Sequence, residues 1–122
     1  MHLHPLLNEG IFYFVPFPAT SSSPPEAVGT FREQEGTTLI LEKEKMNKHG
    51  YIYIYQDYPA FARITLTAET DLLAVGITAA VSKVLAENGI SCNVIAAFHH
   101  DHLFVPRDQK EQALTLLKDI LI

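Results

Sequence analysis

Apolar and polar positions follow clear periods in the second half of the chain. From Phe61 to Thr67 they alternate, with Ala62, Ile64 and Leu66 on one face and Arg63, Thr65 and Thr67 on the other. That period of two predicts a strand half buried against helices. From Asp71 the period lengthens, and Leu73, Ile77, Ala80, Val81 and Val84 recur at helical spacing. Asp71 is placed to cap this helix, and Asn88 with Gly89 to end it in a left-handed turn. Cys92 to Phe98 and Leu103 to Val105 read as an antiparallel hairpin that turns at His100 and Asp101. Asp108 and Glu111 have capping-box spacing ahead of Ala113, Leu114, Leu117 and Ile120, which predicts a last amphipathic helix.

The first half is punctuated differently. Pro16, Pro18, Ser21, Ser22, Ser23, Pro24 and Pro25 forbid regular structure and mark a surface loop. Ile11 to Val15 predicts a short strand before it. Ala27 to Phe31, a polar turn through Glu33 and Gly36, and a β-prone run from Thr37 to Glu42 follow it. Lys43 to His49 predicts two helical turns closed by Gly50. Tyr51 to Tyr55 alternates Tyr with Ile and reads as another strand, ended by Pro59.

The second half therefore runs strand, helix, strand, strand, helix. A ferredoxin-like α+β plait runs βαββαβ, so the fourth strand is missing there and the first strand would present an open edge. Ile11 to Val15 or Thr37 to Glu42 is expected to cover that edge. On this reading residues 1–59 form a degenerate first half, residues 60–122 form the second, and together they make one folding unit. No letter-by-letter repeat joins the halves, but the strand content of the first suits a second plait.

Composition narrows the class. A chain of 122 residues buries a real core without disulfides or structural metals. Apolar residues make up 48% and charged residues 19%, near the soluble average, and no apolar run approaches the length that crosses a bilayer. Membrane insertion is excluded on this reading. Met1 to Leu7 lacks the basic flank and apolar stretch of a secretory signal, and the single Cys92 has no partner in the chain. Both point to a reducing, cytoplasmic setting. The net charge of -5 is interleaved along the sequence and repels polyanions, which argues against nucleic acid.

Two blocks carry a resemblance: "TFREQEGTTLILEKEK" and "ARITLTAETDLLAVGITAAVSKVLAENGISCNVIAAFHHDHLFVP". Their features recur in the order found in small stand-alone bacterial ACT-domain proteins, and the similarity runs from about Ile11 to the last helix. The resemblance implies a tandem of intertwined ACT-like units and a regulatory role, as in related arginine sensors and the effector domains of biosynthetic enzymes. No catalytic domain accompanies it here. Such families bind an effector between the loop after the first strand, the start of the next helix and a facing strand of another ACT unit. By position this implies Glu69, Thr70, Asp71, Leu72 and Gly76, with Asn93, Val94 and Ile95 opposite. It also implies a homodimer, and a regulated enzyme or regulator as the partner that reads the bound state.

The chemistry of that segment agrees. Free amides at a helix start near Leu72 and Leu73 suit a carboxylate, and Asp71 or Glu69 suits an ammonium. Gly76, placed one turn inside the predicted helix, allows a ligand or a second backbone to approach closely. The plainer alternative makes Asp71 a simple cap and Gly76 a packing residue.

Other constellations are weaker. His99, His100, Asp101 and His102 form a polar cluster in which His100 and His102 share a face of an extended strand. They are weak candidates for a divalent metal, because the spacing matches no established motif. The alternative is that the rings hydrogen-bond across the hairpin or to Arg107. His2 and His4 sit at the terminus. Arg32, beside Glu33 and Glu35, is either an anchor paired with acids or a carboxylate ligand in the first plait. Tyr51, Tyr53 and Tyr55 lack the basic neighbours of a base-stacking sheet. No phosphate loop or nucleophile elbow is present, and Cys92 reads as an inert core thiol. The sequence thus indicates a non-catalytic binding module without a cofactor. A ligand-free interaction module is the alternative, and a metal-binding protein a more distant one.

Overall fold

The computed structural model describes residues 1–17, 26–69 and 73–122. Along them run β1 (Pro5–Leu7), β2 (Phe12–Phe17), β3 (Gly29–Glu33), β4 (Gly36–Glu42), α1 (Lys43–His49) and α2 (Ile52–Tyr55). Then come β5 (Phe61–Leu66), α3 (Ile77–Glu87), β6 (Asn93–Ala96), β7 (Asp101–Pro106) and, after a 3-10 turn at Arg107–Gln109, α4 (Lys110–Lys118). Two compact units form: Met1–Glu9 with Phe61–Ile122, and Gly10–Ala60. Relative to the division read from sequence, residues 1–9 belong with the second half. No helix of the described residues is long and apolar enough to cross a membrane.

In the first of these units the apolar face of β5 is buried as read, and on the other face Thr65 is buried as well. Ala62, Ile64 and Leu66 are buried and meet Val81 and Leu85 of α3 and Ala113 and Leu117 of α4 in one apolar core. β5 pairs antiparallel with β7, and β7 with β6. β1 lies antiparallel on β5, with Pro5 opposite Leu66 and Leu7 opposite Ile64. Within the unit, β1 thus stands where the fourth strand of a plait belongs. Three residues give no readable period, so the pattern did not mark them. Leu3, 1% exposed, anchors the segment in the core. The Met1 ammonium donates to the Ile122 carbonyl, and the Ile122 N–H donates back to Met1 at 2.9 Å.

Three local expectations change. The helix read from Asp71 starts at Ile77, because Gly76 stands at its N-cap with φ 95°, and Leu73 and Val75 are 86% and 93% exposed. No apolar face holds the preceding turn in a helix. The capping box is not formed: Asp108 lies inside the 3-10 turn, and α4 begins after Gln109 without a side-chain cap. Asn88 and Gly89 do end α3, with Gly89 at φ 70°.

The unit Gly10–Ala60 has strand order β3-β4-β2, all antiparallel. Val15, Phe17, Leu39, Leu41, Met46 and Tyr55 form its core. The third change is here, for Tyr51 to Tyr55 is a helical turn and not a strand. Rings four residues apart, Tyr51 and Tyr55, stack with centroids at 6.4 Å, while Tyr53 is 81% exposed. That is the i, i+4 geometry of a helix, which alternating Tyr and Ile do not distinguish from a strand.

The pairing registers expose a repeat hidden in the letters. β2 runs from Phe12 opposite Glu42 to Phe17 opposite Thr37, and β5 from Phe61 opposite Pro106 to Leu66 opposite Asp101. On the neighbouring strands, Gly29 faces Ile40 as Asn93 faces Phe104. Each unit is therefore an α+β ferredoxin-like arrangement with the same first-third-second strand order, and Phe31 and Arg32 occupy the places of Ile95 and Ala96.

Candidate functional site

β5 ends at Leu66, and its chain is then fixed by β1's neighbours. The Thr67 and Ala68 N–H groups donate to the carbonyls of His4 and Leu3, both at 3.1 Å, and the Thr67 hydroxyl donates to His4 at 2.7 Å. Glu69 follows, exposed. Thr70, Asp71 and Leu72 lie outside the described residues. The segment re-emerges with Leu73 and Val75 exposed and enters α3 at Gly76.

That entry has a simple cause. A positive φ costs an L side chain and not glycine, and an added Cβ at Gly76 would meet nothing within 4 Å. Gly76 therefore makes the turn, at the N-cap and not one turn inside the helix, and the space beside it is open. Since glycine has no side chain to cap the helix, the first amides of α3 have no side-chain acceptor from it.

The strand expected to face this loop is β6. Asn93 and Ile95 are exposed, while Val94 turns to the helix-covered core. β6 is two strands from β5, roughly 10 Å, and in this unit pairs only with β7. Asn93 lies in register with Phe104 and Arg63, away from the end at Leu66 where the loop begins. Ile95 lies in register with His102 and Thr65, one residue short of that end.

Arg32 lies on β3 opposite Thr37, exposed, and makes no ion pair among the described residues. Glu33 accepts from the Thr38 hydroxyl. A cleft of about 300 Å³ beside it is lined by Pro16, Phe17, Glu33, Glu35, Gly36, Thr37 and Thr38. In the other unit, His2, His4, Pro5, Leu6, Thr67 and Lys118 line one of about 510 Å³.

The histidine hairpin resolves into separate contacts. His102 Nδ1 lies 3.0 Å from the Thr65 hydroxyl on β5, the strand opposite to the hairpin partner. Asn8 Nδ2 donates to the same hydroxyl at 2.8 Å and to the Arg63 carbonyl at 3.1 Å. Burial lowers the His102 pKa, with Arg63 and His100 adding and Asp101 opposing. His99 packs edge-on against Phe98, and His100 has a buried Nδ1 without a hydrogen-bond partner. Among the described residues no group of three His, Cys, Asp or Glu is placed to hold a metal ion. Cys92 is half buried, and burial pushes its thiol up to about 11. Sequence reasoning put Thr65 on the correct face of β5 but missed the Asn8–Thr65–His102 chain, because a register is not written in a strand's own residues.

Comparison with known proteins fits this architecture. ACT-domain family models match residues 1–57 and 61–119. A crystal structure of a protein of unknown function from Vibrio cholerae, described as a possible transport protein, is 39% identical to this chain. It aligns over 99% of this chain and 91% of its own, with a TM-score of 0.84. A protein from Agrobacterium tumefaciens shares the fold at 19% identity, covering 96% and 87% of the two chains with a TM-score of 0.72. No curated protein matches. With ACT models on both halves and a near full-length relative, the chain belongs to the ACT-domain family.

Proposed function

We propose that this protein is a non-catalytic sensor that binds an amino acid or a similar small zwitterion and passes the bound state to a regulated enzyme or regulator. ACT domains are regulatory, small-molecule-binding modules. The observation that carries the reading is the duplicated ACT arrangement, matched over 1–57 and 61–119, with a helix start in the second unit to which its N-cap residue, Gly76, lends no side-chain cap.

The ligand carboxylate is received by the amides at the start of α3, where N–H groups without an intrahelical acceptor and the helix dipole favour a negative charge. Glu69 and Asp71 supply the countercharge for an ammonium. Thr70 and Leu72 complete the loop. Asn93, Val94 and Ile95 contribute from a second copy, because β6 of the same unit stands two strands away. The working form is then a cytoplasmic homodimer. Arg32 serves the first unit, where its guanidinium suits a second carboxylate. An effector that bridges two units stabilises one arrangement over another, and only that difference in affinity carries a signal.

Thermal shift against the proteinogenic amino acids tests the proposal, with Asp71→Ala and Glu69→Gln as controls. A ligand that prefers the native state raises Tm, by an amount that grows with the logarithm of its concentration over Kd. The expected result is a shift with one or a few amino acids that both variants weaken. No shift with any of them at millimolar concentration removes the sensor reading. A ligand-free interaction module then becomes the better account, favoured by the exposed Leu73, Val75 and Phe98.

A further inference from the structure

The polar chain from Asn8 to His102 has a direction. Asn8 Nδ2 can only donate, so the Thr65 oxygen accepts from it at 2.8 Å. The single hydroxyl proton of Thr65 is then free to point at His102 Nδ1, 3.0 Å away. That arrangement suits the neutral tautomer of His102 with its proton on Nε2, as acceptor at Nδ1. Thr65 is 8% exposed, so water does not readily substitute for a lost partner.

The same chain ties down β1. Asn8 follows β1 directly, and both its backbone N–H, at 2.9 Å, and its side chain reach the Arg63 carbonyl. β1 itself is three residues long. Three paired residues are a weak hold, so the flanking contacts at Leu3, His4 and Asn8 decide whether the strand stays.

We propose that β1 is an acid-releasable strap, held on β5 while His102 is neutral and loosened when His102 takes a proton. Protonation turns Nδ1 from acceptor into donor. His102 Nδ1 then competes with Asn8 Nδ2 for the two lone pairs of the Thr65 oxygen, and the Thr65 proton loses its His102 acceptor in a buried place. The charged groups around the ring act in the same sense: Arg63 on β5 and His100 before β7 disfavour a second cation, and Asp101 alone opposes them. Across β7, the β6 positions Ile95 and Asn93 carry no charge. Release uncovers Leu3 and the β5 backbone from Ile64 to Leu66, a pairing surface present only in acid.

Amide hydrogen exchange from pH 7.5 to 4.5, corrected for intrinsic rates, tests the strap alongside the NMR titration of His102. The N–H groups of Asn8, Thr67 and Ala68 cross the β1 junction, and those of Ala80 and Ile90 report on α3 and its exit. The expected result is that junction protection falls with the His102 ionisation while Ala80 and Ile90 keep theirs. The opening equilibrium gains about tenfold for each pH unit by which release raises the His102 midpoint. His102→Gln should make junction protection flat with pH, and Thr65→Val should uncouple it from the His102 titration. Junction protection that ignores His102 ionisation, or simultaneous loss at Ala80 and Ile90, overturns the proposal.

Discussion

The Tyr55 hydroxyl donates to the Pro16 carbonyl at 3.0 Å and so ties α2 to β2. Tyr55 itself is buried, its ring edge-on to Tyr58 with centroids at 5.4 Å. Burial raises the phenol's pKa, with Tyr58 and then Tyr51 adding, which keeps it a donor well into alkaline solution.

Tyr55→Phe keeps the ring and removes only the donor. A net intramolecular hydrogen bond is worth about 1 kcal/mol, and chemical denaturation should show a loss of that size. Tyr53→Phe, at an 81% exposed position, should be neutral within about 0.5 kcal/mol. Equal effects would mean that the Tyr55–Pro16 contact does not hold α2.

Gly76 allows a sharper comparison, since space and backbone strain are separable there. An added methyl meets nothing within 4 Å, so only the φ of 95° opposes it. Gly76→Ala should cost about 1 to 2 kcal/mol, the left-handed penalty for an L residue. Gly76→Asn should cost less, because Asn tolerates that region better. The reverse order in a denaturant series would contradict the assigned backbone.

These cases show what the residues disclosed in advance. Ala62, Ile64 and Leu66 announced β5, since a two-residue period with one face buried has a single physical solution. Ala113 and Leu117 announced α4 in the same way, and Gly50 and Gly89 each close a helix as read. Tyr51 to Tyr55 misled because five alternating aromatic and aliphatic residues satisfy a strand and one helical turn equally. Leu73 misled because it falls on the helical period yet remains exposed, and an apolar residue does not say whether anything covers it. Of the candidate site, Glu69 and Gly76 stand on either side of one loop, while Asn93 and Ile95 lie on β6, two strands from β5, a placement set by pairing registers that a strand's own residues do not encode. The Thr65–His102 pair was invisible for a related reason: it joins strands 37 residues apart.

Leu3 measures how far β1 belongs to its unit. It is 1% exposed among Ile64, Leu66 and Ile120, whereas Leu6, three residues on, is 54% exposed. Leu3→Ala opens a cavity and should cost about 2 to 5 kcal/mol. Leu6→Ala should stay within about 0.5 kcal/mol. If the two variants unfold at the same denaturant concentration, the first residues do not contribute to the core.

His102 gives the pH dependence of stability a definite sign. Its folded-state pKa is lowered from 6.5, chiefly by burial. Between that lower midpoint and 6.5 the unfolded chain binds the proton more readily than the native one, so stability rises with pH across this window. The contribution is complete above the unfolded midpoint and is lost as pH falls through the folded one. Denaturation curves at pH 7.5 and pH 5 should therefore show a loss of stability in acid that is smaller in His102→Gln. Other titrating groups act alike in both proteins, so the difference between them isolates His102. Parallel pH profiles for the two would show that the ring is as easily protonated in the native state as in the unfolded chain, and that its bond to Thr65 confers no preference for the neutral form.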